Sequence, residues 1–137
     1  MPENNKIRIV VDVNVWISAL QPGSFRARIE VVFDPEYRLV VSKELLVELA
    51  NTVRKPHLEK RIDRMNYEKL VALLSTDAEL VDVHSVVEIC RDPKDNYLLA
   101  LAKDGNADYL IIGDNDLRVL KKFGKTKIVE LTELESL

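Results

Sequence analysis

The chain has one cysteine, Cys90, so it has no internal disulfide framework, and the residue is expected to be a small buried apolar filler. It has two histidines, His57 and His84, both remote in sequence from the acids described below, which argues against a histidine-built zinc site. His84, within Asp82-Val83-His84-Ser85, reads as a satisfied loop residue. There is no glycine-rich phosphate loop and no G-x-S-x-G nucleophile elbow. No run of about 18 apolar residues occurs, and the opening Met1-Pro2-Glu3-Asn4-Asn5 lacks the apolar core of a signal peptide. A cytoplasmic protein without membrane association is the default expectation. An excess of either charge is missing as well: 20 Lys and Arg stand against 23 Asp and Glu, a net charge of −3, which does not advertise a nucleic-acid partner.

What is present fits one domain over residues 1–137, long enough to bury about two thirds of its unfolded surface. Trp16, Tyr97 and Tyr109 sit among apolar neighbours and are expected in its core. The charges are unevenly spread. Residues 54–64 hold the bases Arg54, Lys55, Lys60, Arg61 and Arg64 against Glu59 and Asp63, and residues 118–127 hold Arg118, Lys121, Lys122, Lys125 and Lys127 with no acid. Local cation placement, rather than the total, decides whether a polyanion binds. The plainer reading of both stretches is solvated helix ends.

Apolar runs alternate with helical patterns. Strands are expected at Ile7–Asp12, Arg38–Val41, Glu79–Val81, Tyr109–Ile112 and Lys127–Val129. Leu46, Leu49, Ala50 and Val53 share a face at helical spacing, as do Leu98, Leu99, Leu101 and Ala102. Ser42 is a natural N-cap for the first helix. Asp92-Pro93 starts the second, and Asp104-Gly105-Asn106 stops it. Pro56–Asn66 reads as a polar connection or short helix, followed by a helix near Tyr67–Ser75. The alternation predicts an α/β domain with a parallel central sheet of about 4–5 strands. Helices are expected to flank both faces of that sheet.

In such sheets ligands bind at the carboxyl ends of the strands. Asp12 ends the first apolar run, and Asp114 and Asp116 follow the run Tyr109–Ile112. Asp95 lies in the first turn of the helix opened by Asp92-Pro93. Glu48 falls about 60° outside the apolar arc of its helix, a border position that the wheel does not prefer over Glu44. Each acid also has a plain role: Asp12 as a helix cap, Asp95 as the partner of Asp92 in a capping box, Asp114 or Asp116 as a cap, Glu48 as a solvated helix residue. Taken together they point to a shared cluster. Crowded carboxylates repel unless a cation neutralises them, and an all-oxygen donor set suits Mg²⁺ or Mn²⁺.

Val11-Asp12-Val13-Asn14, Ser42-Lys43-Glu44-Leu45-Leu46-Val47-Glu48, Arg91-Asp92-Pro93-Lys94-Asp95-Asn96 and Gly113-Asp114-Asn115-Asp116-Leu117 occur in the order of a PIN-domain ribonuclease. The resemblance runs from about residue 7 to 131 and is closest to the small prokaryotic members, which include toxins of VapBC-type toxin–antitoxin pairs. It implies hydrolysis of RNA phosphodiesters with Mg²⁺ or Mn²⁺ as cofactor. The implied acidic quartet is Asp12, Glu48, Asp95 and Asp114, with Asp116 as an accessory metal ligand and Asn14 supporting Asp12. Asp12, Asp95 and Asp114 are the implied direct ligands, and Glu48 either holds a metal-bound water or acts as base. Arg54, Lys55, Lys60, Arg61, Lys121 and Lys122 are the corresponding candidates to guide RNA. An antitoxin partner and a homodimer are implied too. Val13 departs from the pattern, since many members carry Thr or Ser there. Two rivals are a phosphoacceptor receiver module, which also ends its first strand in an acid, and a catalytically weak PIN scaffold used for protein pairing. A HAD-type phosphatase requires a second acid where Asn14 stands.

Overall fold

Residues 6–89, 93–113 and 116–136 are described in a computed structural model of the chain; the side chain of Asp116 is outside the description. Cys90, Asp92 and Asp114 therefore lie outside the described residues, and with them the expected filler, half of the expected capping box and one expected ligand.

The β-branched run Ile7–Val11 forms β1, buried at Ile9, Val10 and Val11. Tyr37–Val41 (β2), Glu79–Leu80 (β3), Tyr109–Ile112 (β4), Lys122–Phe123 (β5) and Thr126–Glu130 (β6) complete the sheet, in the order β3-β2-β1-β4-β6-β5. All pairings are parallel except β5 with β6. Continuous apolar strands are the mark of a parallel sheet covered by helices. Those helices are α1 (Val13–Ala19), α2 (Phe25–Val32), α3 (Lys43–Val53), α4 (Pro56–Glu59), α5 (Arg64–Asp77), α6 (Asn96–Asp104) and α7 (Leu131–Glu135). None of them is long and apolar enough to cross a membrane.

All five expected strands form, within about a residue at each end. The sixth, β5, was not expected; it is a two-residue edge strand that turns into β6 through Gly124-Lys125. Gly124 has φ +59°, and glycine at the first central position matches a tight hairpin turn. The polar stretch after α3 divides into α4 and the start of α5. Asp63 caps α5 by accepting from the Asn66 amide at 3.2 Å, so that helix begins three residues before the expected Tyr67.

The order places β1 between β2 and β4 rather than beside β3, unlike the 2-1-3-4-5 order of a receiver module. From β1 the chain moves outward through β2 to β3, then crosses back to β4. The strand order therefore reverses between β1 and β4, and a crevice opens there at their carboxyl ends. Below it, Trp16 of α1 is 1% exposed and lies against Phe33 with ring centroids 6.0 Å apart. Its indole Nε1 is buried with no hydrogen-bond partner among the described residues.

Candidate active site

Asp12 directly follows β1 at this crevice. Its amide donates to the Ile111 carbonyl of β4 at 2.9 Å, which fixes it across the reversal point. Only 4% of Asp12 is exposed. Its backbone is extended, and its Oδ1 accepts from the Asn14 amide at 3.4 Å, so it is the N-cap of α1. The capping role and the position at the strand end coincide in one side chain. Asn14 is exposed at the start of α1. A Cβ placed on Gly113, which follows β4, would sit 3.5 Å from the Asn14 Cβ, so the two residues face one another across the crevice.

Glu48 is exposed on α3, beside the face that buries Leu45, Leu49 and Thr52. The buried Thr52 hydroxyl, one turn along, approaches the Glu48 carboxylate at 3.3 Å while donating to its backbone carbonyl at 2.7 Å. Asp95 ends a 3-10 turn over Pro93–Asp95 and stands at the N-cap of α6. Asp116 begins another 3-10 turn, Asp116–Leu120.

Tyr97, in the first turn of α6, ties these acids together. Its phenol pKa is raised above the usual 10.0, first by burial and then by the negative charges of Asp12, Glu48 and Asp95. Three carboxylates from β1, α3 and α6 thus act on one hydroxyl. Glu48, rather than Glu44, is the α3 acid acting on Tyr97. Among the described residues no three Asp, Glu, His or Cys side chains are drawn closely enough together to form a closed metal cage. The donor chemistry is nonetheless all carboxylate oxygen, the set that suits a hard divalent cation. Tyr97 was expected as plain core and Thr52 was not singled out. Their signals are the spacings of two residues from Asp95 and four from Glu48.

The basic candidates are scattered. Lys55 and Lys60 flank α4 and Arg61 follows it, all exposed. Arg54, at the C-cap of α3, lines a cleft of about 240 Å³ with Glu59, Arg64 and Tyr67. Lys122 pairs with Lys127 near the amino end of β6, towards the rim opposite Asp12, and Lys121, with φ +58°, precedes it. In that stretch Arg118 bonds Glu130 at 3.2 Å and Lys125 lies 3.7 Å from Asp108.

Residues 8–116 match the family model described as PIN domain. An uncharacterized protein of Methanocaldococcus jannaschii is 29% identical over 126 residues, covering 90% of this chain and 81% of that protein. Two solved structures share the fold. VapBC2 from Rickettsia felis, crystallised with a DNA fragment from its promoter, gives a TM-score of 0.57 at 18% identity over 89% of this chain and 97% of that one. PAE2754 from Pyrobaculum aerophilum gives 0.58 at 15% identity over 96% and 99%.

Proposed function

The chain belongs to the PIN-domain family, whose members are generally nucleases, and from that premise we propose that it is a divalent-metal-dependent endoribonuclease. We place it as the toxin of a VapBC-type pair, partnered by a small antitoxin and acting as a homodimer. The observation that carries the nuclease reading is the convergence of the Asp12, Glu48 and Asp95 charges on Tyr97 at the point of strand reversal. Carboxylate charges that all act on one partly buried hydroxyl also repel one another, and a divalent cation relieves that repulsion.

In this reading Asp12, Asp95 and Asp114 hold Mg²⁺ or Mn²⁺, with Asp116 as accessory. When bound, the ion supplies positive charge and Lewis acidity opposite the phosphate. The chain's own part is positional. Asp12 is fixed by its amide bond to β4 and by its role as cap. Glu48 takes the proton of the attacking water, oriented by the Thr52 hydroxyl. Tyr97 occupies the space among the acids and excludes bulk water there.

The test is Asp12→Asn, because Asn caps a helix about as well as Asp but removes the charge. Cleavage of single-stranded RNA with Mn²⁺ should fall by at least about 10²-fold, with circular dichroism and melting temperature nearly unchanged. Full cleavage by the variant, or cleavage by the parent chain that survives a chelator, would sink the assignment.

A further inference from the structure

A cleft of about 260 Å³ opens at the same rim on the β4–β6 side of Asp12. Its wall runs from Asn14 and Ser18 of α1, past Gly113, to Glu130 and Thr132, and Arg28 of α2 closes the far side. Arg28 is its one cation among the described residues. Arg28 as a residue is half-buried, and its side chain makes no ion pair or hydrogen bond among the described residues. Arg26, two residues earlier, is by contrast 92% exposed and bonded to Glu30 at 3.1 Å. An arginine side chain that lines a cleft with no anionic partner is open to an incoming anion, and its fork of donors matches two phosphate oxygens. The one acid in the cleft, Glu130, already faces Arg118 at 3.2 Å, which offsets its repulsion of an incoming anion.

The cleft adjoins Asp12 through Asn14, only two residues further along the chain. Building on the nuclease reading, we infer that it is a nucleotide subsite. Arg28 grips the backbone phosphate next to the one being cleaved, and the Asn14 amide and Ser18 hydroxyl face its sugar. A single strand would then cross the rim from the acids towards α2, rather than follow the basic residues at 118–127. Arg28 is a substrate-binding residue in this scheme and takes no part in bond breaking.

The test measures binding without turnover. A fluorescein-labelled single-stranded oligoribonucleotide is titrated by anisotropy against the full chain carrying Asp12→Asn, at several salt concentrations. Adding Arg28→Ala should weaken binding about tenfold at low salt and lower the slope of log K against log salt by about 0.7, the share of one phosphate on a single strand. Arg28→Lys should keep the slope, and Arg26→Ala should keep both slope and affinity. Thermal melts confirm that the variants are folded. An unchanged slope with Arg28→Ala, or an equal loss with Arg26→Ala, overturns the subsite while leaving the nuclease reading intact. A parent chain that neither binds nor cleaves RNA overturns both.

Discussion

Asp104, at the end of α6, shows how one side chain can position a segment that has no regular structure. Its carboxylate accepts from the His84 amide at 2.6 Å, the Ser85 amide at 2.8 Å and the Ser85 hydroxyl at 2.5 Å. These bonds, the Ser85 hydroxyl first, bring its pKa from 3.8 down to about 2. A depressed carboxylate stabilises the fold fully above its unfolded pKa and loses that effect as pH falls through its folded one. The Ser85 amide shift in an NMR titration should therefore move with a midpoint near 2. Asp104→Asn should speed amide exchange at His84 and Ser85 while the sheet stays protected; unchanged exchange would disprove the tether. Single residues were also where the sequence was least decisive about the site. Asp12 was legible because a lone acid closing an apolar run is rare. Glu48 and Glu44 were not separable, because helical periodicity reports which face is buried and not which neighbour lies across a cleft. The surroundings of Arg28 and the place of Tyr97 beside the acids were not legible, because the cleft at Arg28 is lined from α1, β4 and β6, and two of the three acids acting on Tyr97 are Asp12 and Glu48, far away in the chain.

Among the elements, α6 depends on a close approach. A Cβ on Gly105 would lie 2.8 Å from Val40 Cγ1 of β2 and 2.9 Å from the Leu101 carbonyl, so the end of the helix can meet the sheet only without a side chain. Gly105 itself has φ −86°, and the left-handed residue is Asn106, at +52°. Gly105 is thus kept for space and Gly124 for conformation. Gly105→Ala should cost about 1–3 kcal/mol in urea denaturation through overpacking. Gly124→Ala, with nothing within 4 Å of the new Cβ, should cost about 1 kcal/mol, through backbone strain alone. Equal losses would contradict this division. The long strands were legible because Val, Ile and Leu runs bounded by polar residues leave few alternatives. Lys122–Phe123 was not, since two residues carry no period and the pairing of β5 exists only through a turn. Helix α2 was equally faint, burying only Val32 among its eight residues.

Across the whole molecule the two rims of the sheet carry opposite electrostatic roles. The acids gather at the carboxyl rim. At the amino half, Arg8 of β1 forks onto Glu79 of β3 at 3.2 and 2.7 Å and also donates to the Gly105 carbonyl at 2.7 Å, while Arg38 of β2 lies 3.5 Å from the same glutamate. Three strands and the end of α6 are thereby joined through Arg8 and Glu79, and Glu79 stands in register with Val40 of β2. The Arg8 hydrogen bond is the main reason the Glu79 pKa falls below its usual 4.5. Its stabilisation is complete above that value and fades as pH drops below it. Glu79→Gln should lower the melting temperature at neutral pH, and the gap to the parent chain should close on acidification. A gap that stayed constant from neutral pH to about pH 3 would exclude the linkage. Trp16 is the chain's single tryptophan, buried in the helix that Asp12 begins. The molecule therefore carries one indole, which can be excited at wavelengths where its four tyrosines do not absorb. Because Trp16 is 1% exposed and its ring nitrogen has no hydrogen-bond partner among the described residues, its emission in the folded chain belongs at short wavelength. One optical signal, without a label, can then follow both the collapse of the sheet and, at constant fold, any ion or strand arriving at the helix start above it.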